Sequence, residues 1–262
     1  MMGNQYHLVI RQARKAVLFC LLAVLPLSVS AQVGEYRTDL AVGVNGGYTL
    51  NSVGFLPDVP QSMLGGATMG LTVRYTCEKY FKSICAVTAE VNFSQTGWKE
   101  DIRDIDSQPV VYADDGTALS YQRRLTYIQI PFLARLGWGR ERRGLQGFVQ
   151  AGPQLGFLLS ESTASNIDDS RATLTARSSK IVAQYNMPVE RRFDYGIAAG
   201  AGIELSVPRA GHFLLEGRYY FGLGNIYKNS KSDFFGRSNI SQIVIKATYL
   251  FDIVRTKNPH IK

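Results

Sequence analysis

Apolar and polar residues alternate with a period of two in eight segments of the chain. In the segment "FDYGIAAGAGIELSV" (193–207), one face carries Phe, Tyr, Ile, Ala, Leu and Val, and the other carries Asp, Gly, Ala, Glu and Ser. A two-residue period predicts an extended strand, because successive side chains of a strand point to opposite faces. No convincing amphipathic helix lies between the segments, so the sequence predicts an all-β protein.

The connections between these segments alternate between short and long. The eight segments are 38–50, 65–77, 85–98, 123–138, 145–159, 193–207, 213–224 and 241–251. Short connections follow the second, fourth and sixth segments, whereas long polar ones, such as 99–120 and 160–190, follow odd segments. This alternation predicts an eight-stranded antiparallel up-and-down transmembrane β-barrel with short periplasmic turns and long extracellular loops.

The composition of the polar face indicates that it lines the interior. It consists mostly of Gly, Ala, Thr, Ser, Asn and Gln with few charges, and small residues suit the narrow interior of an eight-stranded barrel. Tyr and Phe recur near segment ends on the apolar face, as in the aromatic girdles of membrane barrels. A soluble lipocalin-like barrel, which would bury the apolar face, is the alternative.

The N-terminal region predicts export. A basic stretch, "RQARK", precedes the apolar run "AVLFCLLAVLPLSV", and small residues follow it. These features predict a secretory signal peptide over residues 1–31, cleaved after Ala31. The barrel is then expected over residues 32–251, with a short C-terminal tail over 252–262, and the protein is expected in the outer membrane.

Eight charged residues are expected to point into the barrel. They are Arg74, Glu90, Arg135, Asp194, Glu204, Glu216, Arg218 and Lys246. If "PRAGH" is a symmetric turn, Glu204 lies opposite Glu216, with Arg218 diagonal to Glu204. Because isolated buried ions are costly, the four basic and four acidic groups are expected to form a self-neutralising structural network. An ion or proton path is the alternative.

Two cysteines flank the first short turn. Cys77 and Cys85 share one face by parity and would lie opposite each other in a symmetric hairpin, within disulfide range. An exported protein meets an oxidising compartment. A Cys77–Cys85 disulfide and two free lipid-facing cysteines are both consistent with the sequence.

The chain is basic overall, with a formal net charge of +8. No patch interleaves aromatic residues with Lys or Arg in a way that predicts nucleic-acid binding. The second short turn contains "RERR" (140–143), for which we expect contacts with anionic headgroups of the inner leaflet. A soluble charged turn is the alternative for this stretch.

The sequence contains little that indicates catalysis. After cleavage two histidines remain, His212 in a predicted short turn and His260 in the tail. No nucleophile motif, metal-ligand cluster or phosphate-binding loop is present, so we expect neither a cofactor nor a metal site.

Five stretches resemble a known family. "YIQIPFLARLG", "VQAGPQLGFLL", "FDYGIAAGAGIEL", "RYYFGLGNI" and "ATYLF" are similar, in order, to the PorT-like outer-membrane barrels of Bacteroidota. The resemblance implies a small eight-stranded barrel of the outer membrane. One member of that family is associated with protein export through the type IX secretion system. The chain departs from the family pattern by continuing past the terminal aromatic Phe251.

Together these features predict a non-enzymatic, monomeric barrel with a packed polar interior. An interaction or scaffold role in envelope organisation or secretion is the leading hypothesis, with outer-membrane lipid and type IX secretion components as expected partners. A narrow porin-like channel is the first alternative. A surface lipid-modifying barrel enzyme is the second.

Overall fold

A computed structural model of the protein describes residues 35–167, 177–228 and 234–256. Its strands are β1 (Glu35–Leu56), β2 (Gln61–Ser62), β3 (Leu64–Tyr80), β4 (Ser83–Glu100), β5 (Tyr121–Gly139), β6 (Gly144–Ser165), β7 (Phe193–Val207), β8 (Gly211–Gly222) and β9 (Arg237–Val254). A four-residue helix, α1 (Ala183–Asn186), lies in the connection between β6 and β7. The predicted signal peptide lies outside the described residues.

The eight long strands form a closed antiparallel ring. Their order around the ring is β4-β3-β1-β9-β8-β7-β6-β5, and pairing between β4 and β5 closes it. The two-residue strand β2 pairs with the end of β4. The predicted all-β, eight-stranded, up-and-down architecture is therefore confirmed. In the described part of the chain, no helix is long and apolar enough to span a membrane.

The two faces of each strand are divided as the sequence predicted. On β7 the side chain of Ile197 is 54 % exposed, whereas Asp194 and Glu204 are 6 % and 1 % exposed. The same division holds on β3 and β9, where Leu71 and Ile245 face outward and Arg74 and Lys246 face inward. An apolar exterior around a polar interior is the arrangement of a transmembrane barrel.

The two ends of the barrel are built differently. The turns 81–82, 140–143 and 208–210 lie at one end, here called the short-turn end. The connections between β4 and β5, between β6 and β7 and between β8 and β9 begin and end at the other, the long-loop end. By the architecture of outer-membrane barrels, the short-turn end is periplasmic and the long-loop end is extracellular.

An apolar core fills the barrel at the long-loop end. Phe55 of β1 contacts Trp98 of β4 edge-to-face, with ring centroids 5.3 Å apart, and packs against Tyr227 and Phe235 from the connection before β9. Loop residues 102, 110, 112 and 119 are buried in the same cluster. Because these side chains come from both walls and loops, the described parts of the long loops fold over the opening.

The prediction that Cys77 and Cys85 lie opposite each other across the hairpin is wrong. Cys85 lies opposite Glu78, because Cys77 sits in a β-bulge between Thr76 and Glu78. The extra residue of a bulge has no partner directly across the ladder. Cys77 and Cys85 are free thiols in the structure.

Candidate functional site: the charged interior

Four charged side chains form a cluster in the middle of the barrel. Arg218 of β8 holds Glu90 of β4 with two hydrogen bonds, of 3.0 and 2.9 Å. Lys246 of β9 donates to the same carboxylate at 2.6 Å. Glu216 completes the cluster, 2.7 Å from Arg218 and 3.4 Å from Lys246. Two cations and two anions, all almost fully buried, thus neutralise one another.

Neutral amides surround the central cluster. Asn92 donates to Glu90 at 2.8 Å, and Gln150 donates to Glu216 at 2.8 Å. Asn45 of β1 in turn donates to Asn92 at 2.8 Å. These bonds use lone pairs that the cations leave free, which lowers the cost of burying the carboxylates.

A second cluster lies nearer the short-turn end. Glu204 of β7 accepts a hydrogen bond from Arg74 of β3 at 2.7 Å and another from Arg135 of β5. His212 of β8 places Nδ1 2.7 Å from Glu204 and Nε2 3.0 Å from Asp252 of β9. One carboxylate therefore joins strands that are not neighbours in the ring.

Asp194 lies apart from both clusters. Tyr220 donates a hydrogen bond of 2.6 Å to its carboxylate. Among the described residues, no Lys or Arg lies within ion-pair distance of Asp194. The structure therefore brings seven of the eight predicted interior residues into two clusters and places the eighth beside the long-loop core.

The predicted pairing of Glu204 with Glu216 is wrong. Glu204 lies opposite Leu214, and Glu216 lies opposite Gly202, because the β7–β8 turn closes tightly between Val207 and Gly211. The shift of two residues keeps both carboxylates facing inward but separates them along the barrel. Glu204 therefore pairs with Arg74 and Arg135. Glu216 pairs with Arg218 and Lys246.

His212 and Asp252 are interior residues that the sequence prediction missed. The sequence pattern places His212 in a turn, but the tight turn makes it an inward-facing residue of β8. The pattern places Asp252 in the tail, but β9 continues to Val254. Extending the two-residue period of 241–251 by one step would have placed the Asp252 side chain on the polar face.

Ser206, His212 and Asp252 resemble a hydrolytic triad in spacing only. The Ser206 hydroxyl lies 2.9 Å from Nδ1 of His212. The same nitrogen lies even closer to Glu204, and Ser206 is 2 % exposed. A general base must be free to take the nucleophile's proton, and the nucleophile must reach substrate. Neither condition is met at this serine.

The turn 140–143 folds across the short-turn end. Glu141 accepts a 3.1 Å bond from Arg37 of β1 and a 2.8 Å contact from Lys79 of β3. Arg142 donates to the carbonyl of Thr256. Glu141 and Arg142 therefore bind the barrel mouth, and contact of the "RERR" stretch with headgroups stays a prediction. Residues 252–256 take part in this closure.

The charges around Glu141 set its ionisation. Burial raises the pKa of the Glu141 carboxyl, but hydrogen bonds and positive charge from Arg37 and Lys79 outweigh this effect and hold the pKa below its usual range. Glu141 is therefore a carboxylate at neutral pH and attracts both basic side chains.

Polar anchors fix the connection between β6 and β7 over the long-loop end. Glu100 accepts hydrogen bonds from Gln184 at 2.5 Å and from Tyr185 at 2.6 Å, both in α1. Arg123 donates to the carbonyl of Met187 at 2.5 Å. The wall of the barrel thus positions the loop that covers it.

The cavity beside the second cluster is small. The cavity lined by Arg74, Arg135, Glu204 and His212 measures about 30 Å³, which accommodates roughly two water molecules. Within the described residues, no group of His, Cys, Asp or Glu is arranged to hold a metal ion.

Comparisons with known proteins identify the architecture. The family model described as "Outer membrane protein beta-barrel domain" matches residues 30–228. No curated protein matches the chain significantly. The fold is similar to solved structures of small outer-membrane barrels.

Two of these structures illustrate the similarity. Ail, the attachment invasion locus protein of Yersinia pestis, is 13 % identical with a TM-score of 0.35, over 83 % of this chain and 99 % of that one. OprG from Pseudomonas aeruginosa is 13 % identical with a TM-score of 0.39, over 84 % of this chain and 99 % of that one.

Replacing Glu90 with Gln is expected to destabilise the barrel strongly. The substitution keeps the shape but leaves Arg218 and Lys246 facing Glu216 alone, so one buried positive charge loses its partner. Breaking a buried ion pair in this way costs roughly 3–5 kcal/mol. The free energy of unfolding in lipid vesicles, measured by urea titration, checks this value.

A matched control for Glu90→Gln is Glu190→Gln. Glu190 pairs with Lys228 at a site where both side chains are substantially exposed, so its loss is expected to cost less than about 1 kcal/mol. Equal costs for the two variants would contradict the assignment of Glu90 to a buried network.

Acid is expected to weaken the closure of the short-turn end. Because the folded-state pKa of Glu141 lies below the unfolded value, its carboxylate stabilises the fold above the unfolded pKa, about 4.3. This contribution disappears as pH falls through the folded pKa. The wild type should therefore be more stable than Glu141→Gln at neutral pH, and the difference should vanish at strongly acidic pH. A difference that persists unchanged in acid would refute the assignment.

Proposed function

Since the chain belongs to the outer membrane protein β-barrel family, we propose that it is a non-enzymatic interaction or scaffold protein of that membrane. In this proposal the barrel is an anchor, and the folded long-loop end presents the binding surface. We place this scaffold role in the organisation of the cell envelope or in protein secretion. The single observation that supports it best is the filling of the interior by mutually neutralising side chains from opposite walls.

Three features of the barrel support an anchor over a channel. The central cluster occupies the middle of the lumen with paired ions. Aromatic side chains and docked loops cover the long-loop end. Glu141 and Arg142 cross the short-turn end. A conducting path would need to pass all three.

The geometry of the polar groups also favours a structural role over catalysis. Glu90, Glu204 and Glu216 are each held by at least two donors. A carboxylate that is fully engaged in this way supports the wall and is not available as a general base. For these reasons we rank the lipid-modifying enzyme last.

The surface of the long-loop end has features that suit protein contacts. Ile105 is 87 % exposed on the connection between β4 and β5, and Phe234 is 51 % exposed before β9. Both lie on loops whose neighbouring residues pack into the barrel core. Binding of a partner would therefore cost less conformational entropy than binding to a free loop. The resemblance to PorT-like barrels supports secretion-system components as the partner class.

Site-specific photo-crosslinking in intact outer membranes tests the proposal. A photoreactive amino acid at position 105 is expected to give a discrete protein adduct, since this side chain faces away from the barrel. The same probe at position 203, which lies on the apolar belt and is 50 % exposed, is expected to give lipid adducts only. Mobility of unheated samples in gels confirms that each variant is folded.

A third probe position distinguishes the two faces of the membrane. Phe81 is 83 % exposed in a short turn, so an adduct at position 81 alone would place the partner in the periplasm. Protein adducts at neither position 105 nor position 81 would contradict the scaffold role.

A further inference from the structure

A second cavity opens at the edge of the short-turn end. It measures about 260 Å³ and lies between the β7–β8 turn and the end of β9. This volume is below the roughly 300–1,000 Å³ of pockets for drug-sized ligands. It therefore suits one polar headgroup better than a complete ligand of that size.

The polar side of this cavity is positively charged. Arg142, Arg209 and Arg255 line it, and Asp252 is the acidic residue among its walls. Three guanidinium groups against one carboxylate leave a formal charge of +2. The carboxylate is already shared between His212 at 3.0 Å and Arg255 at 3.4 Å. The cavity therefore has positive charge that Asp252 does not neutralise.

Guanidinium groups are suited to phosphate. Their planar donors match two phosphate oxygens at once, and they are more weakly hydrated than ammonium groups. In addition, Nε of Arg142 is buried without a hydrogen-bond partner among the described residues. The chemistry of the polar wall thus favours a phosphate-bearing anion.

The other side of the cavity is continuous with the apolar belt. Val207, Tyr249 and Phe251 line it, and all three side chains belong to the outward faces of β7 and β9, with exposures of 37, 38 and 48 %. The cavity therefore lies where the apolar exterior meets the charged mouth. A ligand here would contact guanidinium groups and hydrocarbon together.

The β7–β8 turn is fixed in the position that forms the cavity. Arg209 has φ +67°, a left-handed conformation that is uncommon outside glycine and costs energy in most residues. Tyr249 donates a 2.7 Å hydrogen bond to the carbonyl of Ala210. The turn is thereby joined to β9, and the exposed Arg209 side chain lies at the cavity rim.

We propose that this cavity binds the phosphate headgroup of an anionic glycerophospholipid in the periplasmic leaflet. The arginines contact the phosphate, and the acyl chains run along Val207, Tyr249 and Phe251. This site goes beyond the scaffold role, because it concerns the lipid around the barrel and not a protein at the loops.

Native mass spectrometry of the purified full barrel tests the site. Phosphatidylglycerol and zwitterionic phosphatidylcholine are added separately, and the population carrying one retained lipid is titrated. The test variant is Arg209→Asn, because asparagine accepts a left-handed φ and so removes the guanidinium without straining the turn. Arg143→Asn is the matched control, since Arg143 is exposed on the neighbouring turn but does not line the cavity.

The expected result is preferential retention of phosphatidylglycerol by the wild type and by Arg143→Asn. Arg209→Asn should bind it about tenfold more weakly, the loss of roughly one charge-assisted hydrogen bond. Arg209→Lys, which keeps the charge, should recover part of the affinity.

The proposal would be overturned by equal binding of phosphatidylglycerol by Arg209→Asn and the wild type, by equal weakening in Arg143→Asn, or by no preference over phosphatidylcholine. Inorganic phosphate that displaces phosphatidylglycerol completely at a similar concentration would also overturn it, because the apolar wall would then contribute nothing.

Discussion

The rest of the structure depends on one constraint, which is that charged side chains enclosed by a closed apolar wall must be neutralised or hydrogen-bonded inside it. Glu90 of β4 joins Arg218 of β8 and Lys246 of β9, and Glu204 of β7 joins Arg74 of β3 and Arg135 of β5. These contacts cross the lumen and do not follow the wall. The ladder of backbone hydrogen bonds holds neighbouring strands together, whereas the ion pairs hold opposite sides at a fixed separation.

The inward or outward direction of a side chain could be predicted because it depends only on parity. A strand alternates its side chains regardless of how it pairs, so the sequence alone predicts that Glu90, Arg218 and Lys246 face the interior. Pairing could not be predicted in the same way, because register depends on turn length and bulges. The tight β7–β8 turn places Glu204 opposite Leu214 and makes His212 part of β8. The bulge at Cys77 shifts the register between β3 and β4, so that Cys85 lies opposite Glu78.

Contacts made by loops and termini were the least predictable. No local periodicity indicates that Glu141 folds back onto Arg37, more than a hundred residues away, or that Glu100 receives Gln184 and Tyr185. These contacts become possible only after ring closure brings distant segments to the same end. The covering of both ends is therefore a property of the assembled barrel, although the acidic and basic residues that make it are visible in the sequence.

The two ends of the barrel suit different tasks. At the long-loop end an aromatic core supports loops that carry exposed side chains, which is suitable for a protein partner. At the short-turn end the charged mouth adjoins the apolar belt, where lipid is the nearest partner. The interior connects the two ends mechanically, and we infer that its ion pairs serve rigidity and not transport.

Single-channel recording in planar lipid bilayers tests this inference most directly. A barrel with two clusters of paired charges inside it and with covered ends is expected to insert without conductance steps, at either polarity and in concentrated potassium chloride. Discrete, reproducible steps from correctly folded wild-type protein would contradict the account, because ions would then have a continuous path past Glu90 and Arg218.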